Sequence, residues 1–429
     1  MEWEKQILVI GLTGAFGSGS TTAARHLRDE RGFEMITLSD CIRAEWKKRN
    51  SSKSKSSRKM SEKKPAKEPS RFDLQRLGDE LRQKNKSGVL IERALETLKE
   101  KGVDPKYIVF DGIRNLGEIE RLRDIFGYKF SLIAVLSSND DRWGRIGSAA
   151  YLDKGLTLSD FIQDDQRDSN EEVAWGQQVQ LCIDRADILV DNSTTVTLPS
   201  FKTKVLEFVD LVAGKSIRSA RMDEILMNIA FSASHSSKCL KRHVGAVIVD
   251  DFGRVVGVGY NENPLGTNPC VEEPQYGNQC YRDIVRNDHF KRLSVRQILC
   301  PVCASKLPEI TGPPWRCPVC WGNGVKTNLE AFFFPDRAMN WCTAIHAEVW
   351  AILAAGDRGR GGILYTTTFP CFQCAEKITQ AEIRKIIFTE PYPDPHSQKR
   401  LVLAKVELQQ FEGVRSSSFE RIFSRTKPD

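Results

Sequence analysis

The sequence contains no apolar run of about 18 residues or more, which excludes a membrane-spanning helix of the usual length. Its opening residues pass from Met1 straight into a strand-like run near Gly11. They lack the basic region, apolar core and small-residue cleavage site of a secretory signal, so the chain is expected in the cytoplasm. No internal repeat is present. Basic charge is not spread along the chain either. The net charge is +7, yet residues 47–71 hold eleven Lys or Arg and two Glu, a local +9 that leaves −2 for everything else. That distribution argues against a broad nucleic-acid surface on a folded domain. The 47–71 stretch is rich in Ser and Lys and almost free of large apolar residues, so it cannot bury a core and is expected to be disordered. Two uses stay open for it: a solvated loop, and a contact to nucleic acid or another partner.

What is present suits a soluble globular protein of two or three domains: 429 residues, 40% hydrophobic and 28% charged. Residues 1–214 alternate apolar strand-like runs with helical patterns. The runs cover residues 7–12, 107–111, 130–136 and 188–190, and helical patterns include residues 74–82 and 119–126. Such alternation predicts an α/β domain with a parallel sheet. A second α/β domain is expected over residues 215–415, with a long irregular insertion at 261–342 and a polar tail at 416–429. Its predicted order is helix, strand, strand, then helix, strand, helix, strand after the insertion.

Twelve cysteines in a long chain without a secretory signal point to metal sites in a reducing compartment. The strongest pattern is His346-Ala347-Glu348 followed by Pro370-Cys371-Phe372-Gln373-Cys374. One imidazole and two thiolates make three zinc ligands and leave a fourth tetrahedral position for water, the arrangement of a catalytic site. Cys371 and Cys374 lie three apart, on one face of a helix. A helix N-terminus after Pro370 would stabilise their thiolates. Glu348 stands two residues from His346 and, at a helix start, can lean toward the same site as a proton shuttle.

The insertion carries Cys300-Pro301-Val302-Cys303 and Cys317-Pro318-Val319-Cys320. Two such pairs make a closed four-thiolate site and predict a structural zinc ribbon, in which bound metal replaces a core. Cys270 and Cys280 allow two readings, free thiols or a further metal site with His289. Cys342 carries no inference.

In the first domain, Gly14-Ala15-Phe16-Gly17-Ser18-Gly19-Ser20-Thr21 lies between a strand and a helix. It fits a phosphate-binding P-loop except that Ser20 stands where Lys is expected. Gly14, Gly17, Ser18, Gly19, Ser20 and Thr21 are the candidate nucleotide-binding residues, and Thr21 is a candidate for holding Mg²⁺. Asp111 ends a strand where a second metal-holding acid would sit, and Arg114, Arg142 and Arg145 are candidates for approaching phosphates. Without the lysine, three roles are open: nucleotide binding, scaffolding and kinase activity.

The zinc pattern, with Cys239-Leu240-Lys241-Arg242-His243-Val244-Gly245-Ala246-Val247 and Gly259-Tyr260-Asn261, resembles the deoxycytidylate deaminase branch of the cytidine-deaminase-like fold. It departs from that branch at Glu262-Asn263 and Phe369. The resemblance implies attack of water on C4 of cytosine, with Glu348 moving the protons. It also implies that Asn261 contacts the nucleotide and that the chain forms homo-oligomers. The first domain, through its loop, Asp111-Gly112-Ile113-Arg114 and Asp141-Arg142-Trp143-Gly144-Arg145, resembles nucleoside monophosphate kinases. The two together are similar to bacterial antiphage dCTP/dCMP deaminases. Membership there implies depletion of the cytosine nucleotide pool, regulation through the P-loop domain by a nucleotide or an inhibitor partner, and release by a phage event. A single-stranded nucleic-acid cytosine deaminase tethered by residues 47–71 is the alternative, and a non-catalytic sensor is a third reading that the intact Glu348 opposes. Lys238, Lys241, Arg242, Lys399 and Arg400 are candidates for binding substrate phosphates. Phe369, Phe372 and Tyr392 are candidates for stacking the base.

Overall fold

The computed structural model describes residues 7–56, 68–102, 105–150, 157–158, 161–162, 165, 174–285, 342–390 and 395–423. It divides into two compact units, Met1–Asn228 with Gln410–Asp429, and Ile229–Gln409. Both are α/β.

The first unit runs β1 (Leu8–Thr13), α1 (Ser20–Arg31), β2 (Glu34–Thr37), α2 (Leu38–Ser56), α3 (Arg71–Asn85), α4 (Val89–Glu100), β3 (Tyr107–Ile113), α5 (Leu116–Phe126), β4 (Phe130–Leu136), α6 (Asn139–Ala150), α7 (Val179–Asp184), β5 (Ile188–Asp191) and α8 (Leu198–Val212). Strands β2, β3, β1, β4 and β5 lie side by side in that order, all parallel. Every residue of β4 is buried, as a strand covered on both faces requires. Ile10, Leu12, Val109, Ile133 and Val135 meet Ala23, Leu27, Phe201 and Val205 in one core. Helix ends are written locally. Ser70 and Asp73 cap α3 reciprocally, Asn115 and Glu118 do the same for α5, and Gly32 closes α1 at φ 66°.

Three expectations change. Helix α2 continues to Ser56, so the expected disorder does not hold for residues 47–56, while residues 57–67 lie outside the described ones. Leu38 and Ile42 anchor the start of α2 in the core, and Arg49 pairs with Glu45 at 2.8 Å and Glu80 at 3.0 Å, so the basic stretch inherits a helix already nucleated. Strand β2 has only four residues and no clear alternation, and the sequence did not announce it. Residues 410–423 return to the first unit, which moves the boundaries expected at 214 and 415. Strand β11 (Gly413–Val414) pairs antiparallel with β5, and a final helix, Ser416–Phe423, packs Phe419, Ile422 and Phe423 against the core. Buried Glu224 fixes this return: it accepts from Val414 N at 3.0 Å and holds Arg218 at 2.7 Å.

In the second unit, α9 (Met222–Ser234), which begins in the first, leads to β6 (Gly245–Val249), β7 (Val255–Tyr260), α10 (Ala347–Ala355), β8 (Ile363–Thr368), α11 (Phe372–Gln380), β9 (Lys385–Glu390), α12 (Pro395–Leu403) and β10 (Glu407–Gln410). The sheet order is β7, β6, β8, β9, β10. Strand β6 is antiparallel to β7 and β8, and β8 is parallel to β9. Ala246, Ile248, Ala351, Leu364, Ile378, Ile386 and Leu401 form the core. Cys300, Cys303, Cys317, Cys320 and His289 lie outside the described residues, and so does the expected ribbon. Among the described residues no helix is long and apolar enough to cross a membrane.

Candidate functional site

Two helix N-termini meet in the second unit. His346 is the residue before α10, in extended conformation at φ −72°, ψ 153°. Cys371 holds the matching place before α11, at φ −70°, ψ 170°. Helix α10 reaches this position because β7 has glycine where the helix crosses it. A Cβ on Gly259 would lie 2.3 Å from the Ala347 carbonyl oxygen, and one on Gly257 would lie 2.2 Å from that of Ala351. Ala347, Ala351 and Ala355 recur every four residues and present a small-residue face to the same strand. The close approach sets where the first turn of α10, and so His346 and Glu348, can stand.

His346 Nδ1 lies 3.2 Å from Cys374 Sγ and 3.3 Å from Cys371 Sγ. One ligand atom from each residue falls within 4.8 Å of the others. One borderline nitrogen and two sulfurs, gathered at two helix N-termini that favour thiolate, fit Zn²⁺. A hydrogen bond from Cys374, aided by His346 and against the pull of burial, takes the Cys371 thiol down to about 4. Burial disfavours the His346 imidazolium, but hydrogen bonds with Cys342 and Cys371 outweigh it and raise the ring to about 10. The Cys374 thiol is pushed well up by Cys371 and by burial.

Glu348 is 4% exposed, in the first turn of α10. Burial raises its carboxyl above the usual range, with His346 pulling the other way. A buried carboxyl with a raised pKa, next to the candidate metal ligands yet outside their set, can move protons.

Asn261 is placed at this end of the sheet, but its side chain is bonded to the backbone. Oδ1 accepts from Val244 N at 2.8 Å and Nδ2 donates to Arg242 O at 2.9 Å. It clamps the segment that enters β6, leaving one amide hydrogen and one lone pair for a ligand. The departures at residues 262–263 also have structural work. Glu262 and Ile345 form an isolated antiparallel bridge that feeds the chain into His346, and Asn263 donates to Thr343 Oγ1 at 3.2 Å. Cys342, which sequence reasoning passed over, is hydrogen-bonded to His346; its position four residues before the histidine was the only hint. Cys270 and Cys280 line a small cavity with Asn261 and Cys342 and do not belong to the metal cluster. Of the cations considered for substrate phosphates, Lys238 pairs with Glu272, Lys241 with Asp283, Arg242 with Glu390 and Arg400 with Glu376. Phe369 is core, edge-on to Phe388 at 4.8 Å, rather than a stacking platform.

The first unit holds a separate site. Gly14, Gly17 and Gly19 take φ of 153°, 85° and 107°, a loop that ends at the N-terminus of α1. It borders a cavity of about 860 Å³ that Ser20, Thr21, Asp111, Arg114 and Arg145 also line. Thr21 Oγ1 donates to Asp111 Oδ2 at 2.8 Å, which brings together the two residues expected at Mg²⁺. Burial pushes the Asp111 carboxyl up. Arg142 does not serve phosphates as expected: it is 2% exposed, binds Asp165 at 2.6 and 2.7 Å, and props the loop from behind through Phe16 O.

Comparisons with known proteins agree with this two-part reading. Residues 220–390 match the family described as cytidine and deoxycytidylate deaminase zinc-binding region, and residues 10–173 match an AAA domain. The deoxycytidylate deaminase of Enterobacteria phage T2 is 30% identical over 172 residues, which are 39% of this chain and 79% of that one. The deoxycytidylate deaminase of Schizosaccharomyces pombe is 27% identical over 237 residues, 54% of this chain and 56% of that one. Against the two yeast relatives the chain thus spans about half of their length. A UPF0200 protein of Pyrobaculum aerophilum is 30% identical over 189 residues, 44% of this chain and 89% of that one.

Proposed function

The chain belongs to the deoxycytidylate deaminase family, and from that premise we propose that it hydrolyses the 4-amino group of cytosine in free deoxycytidine nucleotides. Both dCMP and dCTP are substrates, and deoxyuridine nucleotide and ammonia are the products. The observation that carries this reading is the buried Glu348 beside His346, Cys371 and Cys374. Those three residues would hold Zn²⁺, which when bound would lower the pKa of a water to about 7. Glu348 would take a proton from the water as its oxygen adds to C4 and pass it to ring N3, then take the proton of the new C4 hydroxyl and give it to the amine, so that the C4–N bond breaks, ammonia leaves and a C4 carbonyl remains. Its burial raises the carboxyl above the ordinary glutamate range, which makes it a better base than an exposed carboxylate. Asn261 turns its remaining amide valences to the nucleotide. Cys300, Cys303, Cys317 and Cys320 hold a second, structural zinc.

The joining of this unit to a P-loop unit supports regulation through the latter. We read the whole as a cytoplasmic homo-oligomer that depletes the cytosine nucleotide pool in antiphage defence. The test is incubation of the purified chain with dCMP, dCTP, CTP, cytidine and single-stranded DNA separately, each read by chromatography beside Glu348→Ala. Uracil product from dCMP and dCTP, absent in the variant, is expected. Product from DNA alone would overturn the reading.

A further inference from the structure

The P-loop of the first unit lacks the lysine that normally brings positive charge to bound phosphates, and Ser20 stands there. The structure offers a replacement from another element. Arg145, exposed on α6, lines the same cavity. Its Nη1 lies 3.1 Å from Ser137 Oγ, 3.4 Å from Ser18 O and 3.5 Å from Gly17 O, and its Nη2 donates to Asn192 O. Every one of these partners is a neutral oxygen. Among the described residues no carboxylate pairs with Arg145, whereas nearby Arg142 is matched by Asp165 and Arg82 by Glu118. Among those residues its charge is left unneutralised beside the loop. Asn192 holds that geometry from below, with Nδ2 donating to Ser18 O at 2.6 Å.

A second feature points to a ligand. Asp111 is 2% exposed and lines the cavity, and its Oδ1 has no hydrogen-bond partner although Oδ2 is held by Thr21. An ionisable oxygen left without a partner in a buried place is costly unless something occupies the space in front of it. A divalent cation bridging to phosphate oxygens would satisfy it.

We propose that Arg145 takes the place of the missing lysine, so that the cavity binds a magnesium–nucleoside polyphosphate whose phosphates lie against residues 14–21. The guanidinium supplies the charge, and Thr21 and Asp111 meet the cation. This proposal rests on the first unit alone and stands or falls apart from the deaminase reading.

Isothermal titration of the full chain tests it, with ATP and inorganic tripolyphosphate as probes, each with and without MgCl₂, and adenosine as the phosphate-free control. Both phosphates should bind with Mg²⁺, adenosine should not, and Asp111→Asn should remove the Mg²⁺ dependence. Arg145→Gln removes the charge together with the Nη contacts to Ser137 and the loop carbonyls, which its shorter side chain does not reach. It should weaken both probes at least about tenfold, as loss of one charge-assisted phosphate contact would. Adding Ser20→Lys to that variant should restore the affinity. Thermal melting shows whether each variant is folded, and Arg145→Lys, which keeps the charge, replaces the glutamine variant if that one is not: it should bind both probes. Absence of binding by the unaltered chain, unchanged affinity in Arg145→Gln, or no rescue by Ser20→Lys would each overturn the proposal.

Discussion

Gly259 lies so close under Ala347 that a single methyl group on the strand would sit 2.3 Å from the helix carbonyl. That contact sets the height of α10 over β7, and His346 and Glu348 ride on the same turn. Gly259→Ala is expected to push the helix away. The cost is about 2 kcal/mol or more, the usual scale of overpacking a tight interface. A lowered urea midpoint together with lost zinc would bear this out; a variant as stable as the parent would contradict it.

Glu348→Gln keeps the shape of the side chain and removes its proton chemistry. Folding and zinc content should be unchanged, while the deamination rate should fall by about 10²–10⁴-fold. The check is the turnover number, with metal content measured on the same sample. A variant that loses zinc would mean that Glu348 holds the site together instead.

Zinc content also separates the two cysteine sets. Elemental analysis is expected to find about two zinc ions per chain, falling to about one in Cys371→Ser, without activity, and to about one in Cys300→Ser. If Cys300→Ser leaves the count as it was, residues 300–320 do not form a ribbon.

Asn261→Ala removes both partners of the Val244 N–H and the Arg242 carbonyl. Stability should drop by about 1 kcal/mol, the usual net worth of a hydrogen bond to a partly buried group. If the residue also touches the nucleotide, KM should rise beyond what Asn261→Asp shows, since Asp still accepts from Val244. Equal KM values in the two variants would assign Asn261 to the fold alone.

The carboxyl of Glu224 is buried, yet Arg218 and the N–H groups of Arg221 and Val414 outweigh that burial and hold it below the usual glutamate range. A depressed acid contributes stability above its unfolded value and loses it as pH falls through the folded one. Glu224→Gln should therefore lower the melting temperature of the first unit at neutral pH. The gap from the parent should close in acid. A gap independent of pH would show that packing, and not charge, holds the C-terminal strand.

The sequence by itself marked the candidate zinc ligands, the candidate shuttle and the P-loop, because these depend on residue type at short spacing. His346 with Glu348 and Cys371 with Cys374 are each local, and helix N-termini give them their conformation. The parallel sheet of the first unit was likewise carried by apolar runs such as Phe130–Leu136, and so was the succession of helices and strands along the second. Tertiary structure alone decided the remainder. Whether a cation is free depends on what faces it, so Arg142 spent on Asp165 and Arg145 left against neutral oxygens could not be told apart in the chain. Asn261 turned toward the backbone, and Cys342 toward His346, for the same reason. The return of Gly413–Val414 to β5 rests on hydrogen bonds to a strand more than 200 residues earlier, and no local pattern records a partner at that distance.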